Sequence, residues 1–134
     1  MSDFLYVVAT RARSGGATGP IKVGVTSNLR ARLRTLQTGS PRQIAYFAIW
    51  DFRDCGSAAE SLEGAFHALQ GEHRLQGEWY GMAPARGVRI LDLYFEQSLV
   101  LSGACTREEF RALGITKRHF PDFDPLGRPC ASAA

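Results

Sequence analysis

Tyr6, Lys22, Arg32, Glu63 and His67 carry, between them, the groups that hydrolysis of a phosphodiester requires. That reaction needs an attacking water, neutralised phosphate charge and a stabilised leaving oxygen. A single glutamate, with waters and substrate oxygens, makes a reasonable Mg2+ or Mn2+ site, because Mg2+ keeps much of its hydration and prefers oxygen ligands. An arginine clamps a phosphate with its planar fork and meets charge that develops in the transition state. A tyrosine can take or relay a proton once a cation lowers its pKa of about 10. Lys22, on the adjacent strand, could supply that positive field. His67, one helical turn beyond Glu63, could hydrogen-bond a water or Glu63, or bind phosphate. Four of them also have a plain alternative: Glu63 and Arg32 suit solvated helix faces, Tyr6 suits sheet packing, and His67 suits a structural role.

The elements that must position these groups can be read from pattern. Residues 4–10 (FLYVVAT) are rich in β-branched and aromatic types and predict a strand. A Gly/Ser/Pro loop bearing two arginines joins it to a second strand at 21–25 (IKVGV). Gly24, inside that strand, marks a bulge or a close approach of the backbone to a helix or a phosphate. Thr26, Ser27 and Asn28 are all good N-caps. Leu29, Leu33 and Leu36 fall at i, i+4 and i+7 and predict an amphipathic helix over 28–37. Arg30 and Arg34 share one flank of its apolar stripe, and Arg32 takes the other, beside the buried edge.

Residues 44–52 (IAYFAIWDF) predict a central strand buried on both faces. A second helix over 58–70 turns Leu62, Phe66 and Leu69 to the core, with Glu63 and His67 at the edge of that face. Residues 71–82 read as a loop or short extended piece, in which Trp79 and Tyr80 are core or rim aromatics rather than base-stacking platforms. A third helix runs from Pro84 to about Ser102, stopped by Gly103. Thr106 with Glu109 caps a short helix, and the proline-broken tail is expected to be extended and partly disordered. The architecture expected is α+β: a small, three-stranded, mainly antiparallel sheet built as hairpin, helix, strand, helix and flanked by helices.

The 134 residues are 45% apolar, enough for a single core. We expect a principal domain at 1–95 and a helical C-terminal extension at 96–134. No run of 18 apolar residues predicts a membrane span, and the N-terminus MSDF lacks secretory features. Cys55, Cys105 and Cys130 are odd in number and form no CxxC pair, which fits a reduced, cytoplasmic compartment. The net charge of +3 is unevenly spread. Residues 1–50 hold seven Lys/Arg against one Asp, and the remainder holds nine against twelve acidic residues. A basic half of this kind suits either a polyanionic partner or a solvated arginine face.

The motifs KVGVT (22–26), RLRTLQTGSP (32–41), EGAFH (63–67) and GEWY (77–80) occur in one order and spacing. Together with FLYVV at 4–8, they resemble the GIY-YIG nuclease superfamily. The likeness is greatest to its branch of small phage and bacterial domains typified by the meiotically up-regulated gene product and a phage T5 open reading frame. The match covers roughly residues 4–82. It implies that Tyr6 takes the place of the tyrosine in the first motif, Arg32 that of the catalytic arginine and Glu63 that of the metal-binding glutamate. Lys22 stands where the second motif has its tyrosine, as is common in this branch, which leaves the general base open. Glu78 would lie behind Glu63 in support of the metal. Arg11, Arg13, Arg30, Arg34 and Arg42, with Gly24, would contact the nucleic-acid backbone.

The resemblance implies a divalent-metal-dependent endonuclease acting on DNA, with RNA not excluded as substrate and with Mg2+ or Mn2+ as cofactor. Two other readings stay open. One is a catalytically inactive nucleic-acid-binding or partner-binding module of the same fold. The other is an interaction protein whose C-terminal extension, with Phe120 and Phe123, docks to a protein partner.

Overall fold

The computed structural model describes residues 3–53, 58–101 and 116–119. In chain order the elements are β1 (Phe4–Arg11), β2 (Ala17–Thr26), α1 (Leu29–Thr38), β3 (Ile44–Asp51), α2 (Ala58–Leu69), a 3-10 turn (Gly71–His73), β4 (Trp79–Tyr80), α3 (Pro84–Leu101) and β5 (Thr116–His119). The strands form one sheet in the order β4-β2-β1-β3-β5, with every neighbouring pair antiparallel.

The α+β class is as the sequence predicts, but the sheet has five strands rather than three. β4 has two residues, too few for an alternation to show. β5 falls in the stretch expected to be a loose tail, yet Thr116–His119 pairs with β3 along Ala48 to Asp51. The short helix expected after Thr106, and Phe120 and Phe123 of the tail, lie outside the described residues.

Both faces of the sheet are covered, which is why β1 is buried residue after residue instead of alternating. Leu5, Val7, Ile21, Val23 and Trp50 point to one face and pack with Leu62, Phe66, Val88 and Leu91 of α2 and α3. Tyr6, Val8, Ile44 and Tyr46 point to the other and pack with Leu33 of α1. Asn28 is the N-cap of α1, its side chain accepting a hydrogen bond of 3.0 Å from the Ala31 amide. Leu69, expected in the core, is instead exposed. It is the last residue of α2, and the buried stripe of that helix (Ala59, Leu62, Phe66) ends before it. Among the described residues, no helix is long and apolar enough to cross a membrane.

Candidate active site at the unpaired edge of β2

The site follows from how little of β2 its outer neighbour covers. β4 pairs only with Ile21 and Lys22, so residues 23–26 have no strand on that side among the described residues. Side chains from both layers meet around this edge. Tyr6, Lys22 and Arg32 arrive from the α1 face, and Glu63 and His67 arrive from α2, which packs on the opposite face.

Tyr6 lies directly across from Gly24 in the β1–β2 register. A Cβ at position 24 would sit 2.6 Å from the Tyr6 Cζ and closer still to its hydroxyl. The glycine therefore makes room for the phenol ring, which is fully buried. The phenol oxygen accepts a hydrogen bond of 3.0 Å from Arg32 Nε. Tyr46 meets Tyr6 edge-on at 5.5 Å and donates its own hydroxyl to the Leu29 carbonyl, 2.6 Å away. That bond ties the first turn of α1, and with it Arg32, to β3. Burial raises the Tyr6 pKa, and the hydrogen bond and charge of Arg32 oppose the rise. Arg32 is itself held above its ordinary range, chiefly by the bond to Tyr6. The fields of Glu78 and Glu63 also reach Tyr6, so the phenol, the guanidinium and both carboxylates share one electrostatic neighbourhood.

Glu63 is half-buried, and its pKa is raised first by burial and then by the negative charge of Glu78, while the Val25 backbone pulls it down. Glu78 shifts the other way, held low chiefly by its hydrogen bond with Lys22. That ion pair spans 3.0 Å between Lys22 Nζ and Glu78 Oε2. Lys22 is only 8% exposed and also lies 5.9 Å from the centre of the Trp79 ring. His67 Nδ1 makes a short contact with the Tyr80 hydroxyl, and the two rings stack. Its Nε2 is buried and lacks a hydrogen-bond partner among the described residues. Burial lowers the His67 pKa, with the charge of Glu78 acting in the opposite sense, so the ring is neutral at pH 7.

All the residues expected to carry chemistry thus come together with Glu78. The arginines expected to meet nucleic acid are more scattered. Arg13, Arg30, Arg34 and Arg42 are exposed, and Arg11 donates to the Gln43 side-chain oxygen at 2.7 Å. The space at Gly24 is used by the Tyr6 ring. Two site residues escaped the sequence reading. Tyr80 orients His67, and Tyr46 anchors Arg32. The pairing of Trp79 with Lys22 across β2 and β4 was the missing signal for the first, because it fixes which face Tyr80 occupies.

The donor set suits a hard divalent cation. Glu63 is the carboxylate that could hold one, and a cation there would offset its repulsion with Glu78 and the burial of its charge. No group of three or more His, Cys, Asp or Glu side chains able to hold a metal occurs among the described residues. The protein's contribution would be one or two carboxylates, the sparse pattern of a largely hydrated Mg2+ rather than a closed cage.

Comparison with curated proteins and with solved structures finds no match. The model of the T5orf172 domain matches residues 3–94. This covers well over half of the chain, including every residue of the site just described, and the chain therefore belongs to the T5orf172 domain family.

Proposed function

We propose that the protein is a divalent-metal-dependent endonuclease of the GIY-YIG type, hydrolysing phosphodiester bonds in DNA. Membership of the T5orf172 domain family favours a nuclease-like or DNA-binding module. The observation that carries the choice of a nuclease is the Tyr6–Arg32 hydrogen bond set in the joint field of Glu63 and Glu78. A partly exposed arginine tied to a buried phenol in the field of two carboxylates suits phosphate chemistry.

A Mg2+ or Mn2+ ion held by Glu63, with Glu78 nearby, would supply Lewis acidity to the phosphate and lower the pKa of its water. The chain's own groups do the rest. With Nε engaged by Tyr6, Arg32 turns its terminal nitrogens to the phosphate as a fork and meets the charge that develops on the equatorial oxygens. Tyr6, fully buried, accepts from Arg32 and so fixes the guanidinium against the phosphate, with its own proton pointing onward. Its raised pKa makes it a relay rather than a strong base. His67, held by the Tyr80 hydroxyl and the Val23 backbone with its pKa lowered by burial, is the uncharged imidazole placed to exchange a proton beside the carboxylates. Lys22 holds Glu78 ionised and in place.

Incubating supercoiled plasmid with the protein and Mg2+ or Mn2+ tests this. Nicking or linearisation is expected. Glu63→Ala should abolish it, and Arg32→Ala should lower the rate by about 100- to 1,000-fold, the scale of losing one transition-state donor. Undiminished cleavage by both variants overturns the assignment. The second reading, a non-catalytic nucleic-acid-binding module, is favoured by the raised Tyr6 pKa and by the engagement of Lys22 with Glu78. It predicts salt-sensitive DNA binding with no scission under either metal.

A further inference from the structure

A groove of about 490 Å3 opens on the α1 face, between the C-terminal end of α1, the start of β2 and the segment before β4. That volume falls within the usual range for small-molecule sites, roughly 300–1,000 Å3. Its apolar lining comes from Pro20, Leu36, Pro41, Leu75 and Trp79, and exposed Arg42 contributes a cation. The groove adjoins the candidate active site through one side chain. Trp79 lines it and also carries Lys22 5.9 Å from its ring centre. Lys22 in turn lies two residues along β2 from Gly24 and Tyr6, on the same face and roughly 7 Å away.

We propose that this groove receives an unpaired base of the DNA strand whose phosphate lies against Arg32, with Trp79 as the stacking surface. The site therefore prefers single-stranded or flap DNA over a continuous duplex. The proposal rests on the phosphodiesterase reading above and deepens it by naming the form of the substrate. Two features commit the groove to this occupant. The first is continuity: a strand held at Arg32 and passing Lys22 meets Trp79 next. The second is charge complementarity, because Arg42 lines the groove and is exposed on the turn that follows α1, where the backbone of such a strand would run.

The lining also predicts weak choice among bases, with Gln76 and Arg42 the side chains left to read an edge. Its hydroxyls are already committed to protein carbonyls: Thr10 to Thr18 and Gly19, Thr35 to Ala31, and Ser40 to Arg42. Stacking on an aromatic ring accepts any base, whereas edge recognition needs uncommitted donors and acceptors. A base is small and flat, and can leave a helix only where pairing is absent or broken, which is why the preference falls on unpaired strands.

Intrinsic fluorescence reads the groove directly, since Trp79 and Trp50 are the only tryptophans and Trp50 is buried on the opposite face against Asp92. The protein is titrated with an eight-nucleotide oligothymidine, a 5′-flap duplex and a blunt duplex of matched length, in EDTA to prevent turnover. Quenching is expected with the first two and not with the blunt duplex. Trp79→Ala should weaken oligothymidine binding about tenfold, the scale of one lost stacking contact. Thr35→Phe, which fills the groove from the exposed surface of α1, should do the same without disturbing the core. Equal quenching by the blunt duplex, or unchanged binding by both Trp79→Ala and Thr35→Phe, overturns the proposal. Failure of the nuclease reading looks different: oligothymidine would bind and quench as described, while no DNA is cut in Mg2+ or Mn2+.

Discussion

Replacing Gly24 by alanine adds one methyl group, and the structure sets where it must go. The new Cβ would lie 2.6 Å from the Tyr6 Cζ, and the ring has nowhere to retreat because it is fully buried and packed against Tyr46. Overpacking of this kind costs about 1–3 kcal/mol. Moving the ring also breaks the bond from Arg32, and a hydrogen bond to a charged group contributes about 1.5–3 kcal/mol when buried. Arg32 is only partly buried and can rehydrate, so about 1 kcal/mol is the fairer figure. Against this, Gly→Ala at a residue without positive φ stabilises by about 0.4–1 kcal/mol through the unfolded chain. The net expectation is a loss of about 1–3.5 kcal/mol.

In a Tyr6→Leu background the clashing atoms are gone, and Gly24→Ala should become neutral or slightly stabilising. Urea denaturation of the four proteins at 25 °C measures the cycle, and its coupling energy should be about 2–4 kcal/mol, because the unfolded-chain term cancels. The reasoning is refuted if Gly24→Ala has the same effect in both backgrounds, or if it stabilises the protein that retains Tyr6.

Glu63 and Glu78 should respond to pH with opposite sign. The folded-state pKa of Glu63 is raised by burial, so the folded protein binds that proton more tightly than the unfolded chain, and stability falls as pH rises through the carboxylate range. Glu63→Gln should therefore raise the melting temperature in EDTA at pH 7, with the gain fading in acid, and should abolish any stabilisation by added Mg2+. A lower melting temperature for the variant at pH 7 would contradict the burial argument. The pKa of Glu78 is depressed by Lys22, so its contribution is present above the ordinary carboxylate value and is lost as pH falls through the depressed one. With its side chain 44% exposed, Glu78→Gln should cost no more than about 1 kcal/mol at pH 7, less at pH 3, as read by urea midpoints at the two values.

The helices and the long strands were legible because each repeats its pattern several times over. Leu29, Leu33 and Leu36 announce α1, and the unbroken apolar run from Ile44 announces a strand covered on both sides. β4 was not legible, since two residues carry no period, and β2 was read four residues short at its start because Ala17 to Pro20 are turn formers in isolation. For the site, residue types and motif order brought out Tyr6, Lys22, Arg32, Glu63 and His67. What could not be read was who touches whom. The partner of Lys22 lies 56 residues away, and the partner of Arg32 is a phenol on another strand. Such pairings depend on register and on which face a two-residue strand presents. The buried role of Gly24 likewise became visible only when Tyr6 was found opposite it.

The shortness of β4 has a further consequence, for the company this molecule keeps. An uncovered strand edge invites pairing with the backbone of another chain, and proteins commonly guard such edges with charge. Here the guards at residues 23–26 are side chains of the candidate site, with Glu63 and His67 leaning on the backbone of Val25 and Val23. Removing Glu63 or His67 would therefore also bare a template for self-association, so the candidate site and the guarding of this edge rest on the same side chains.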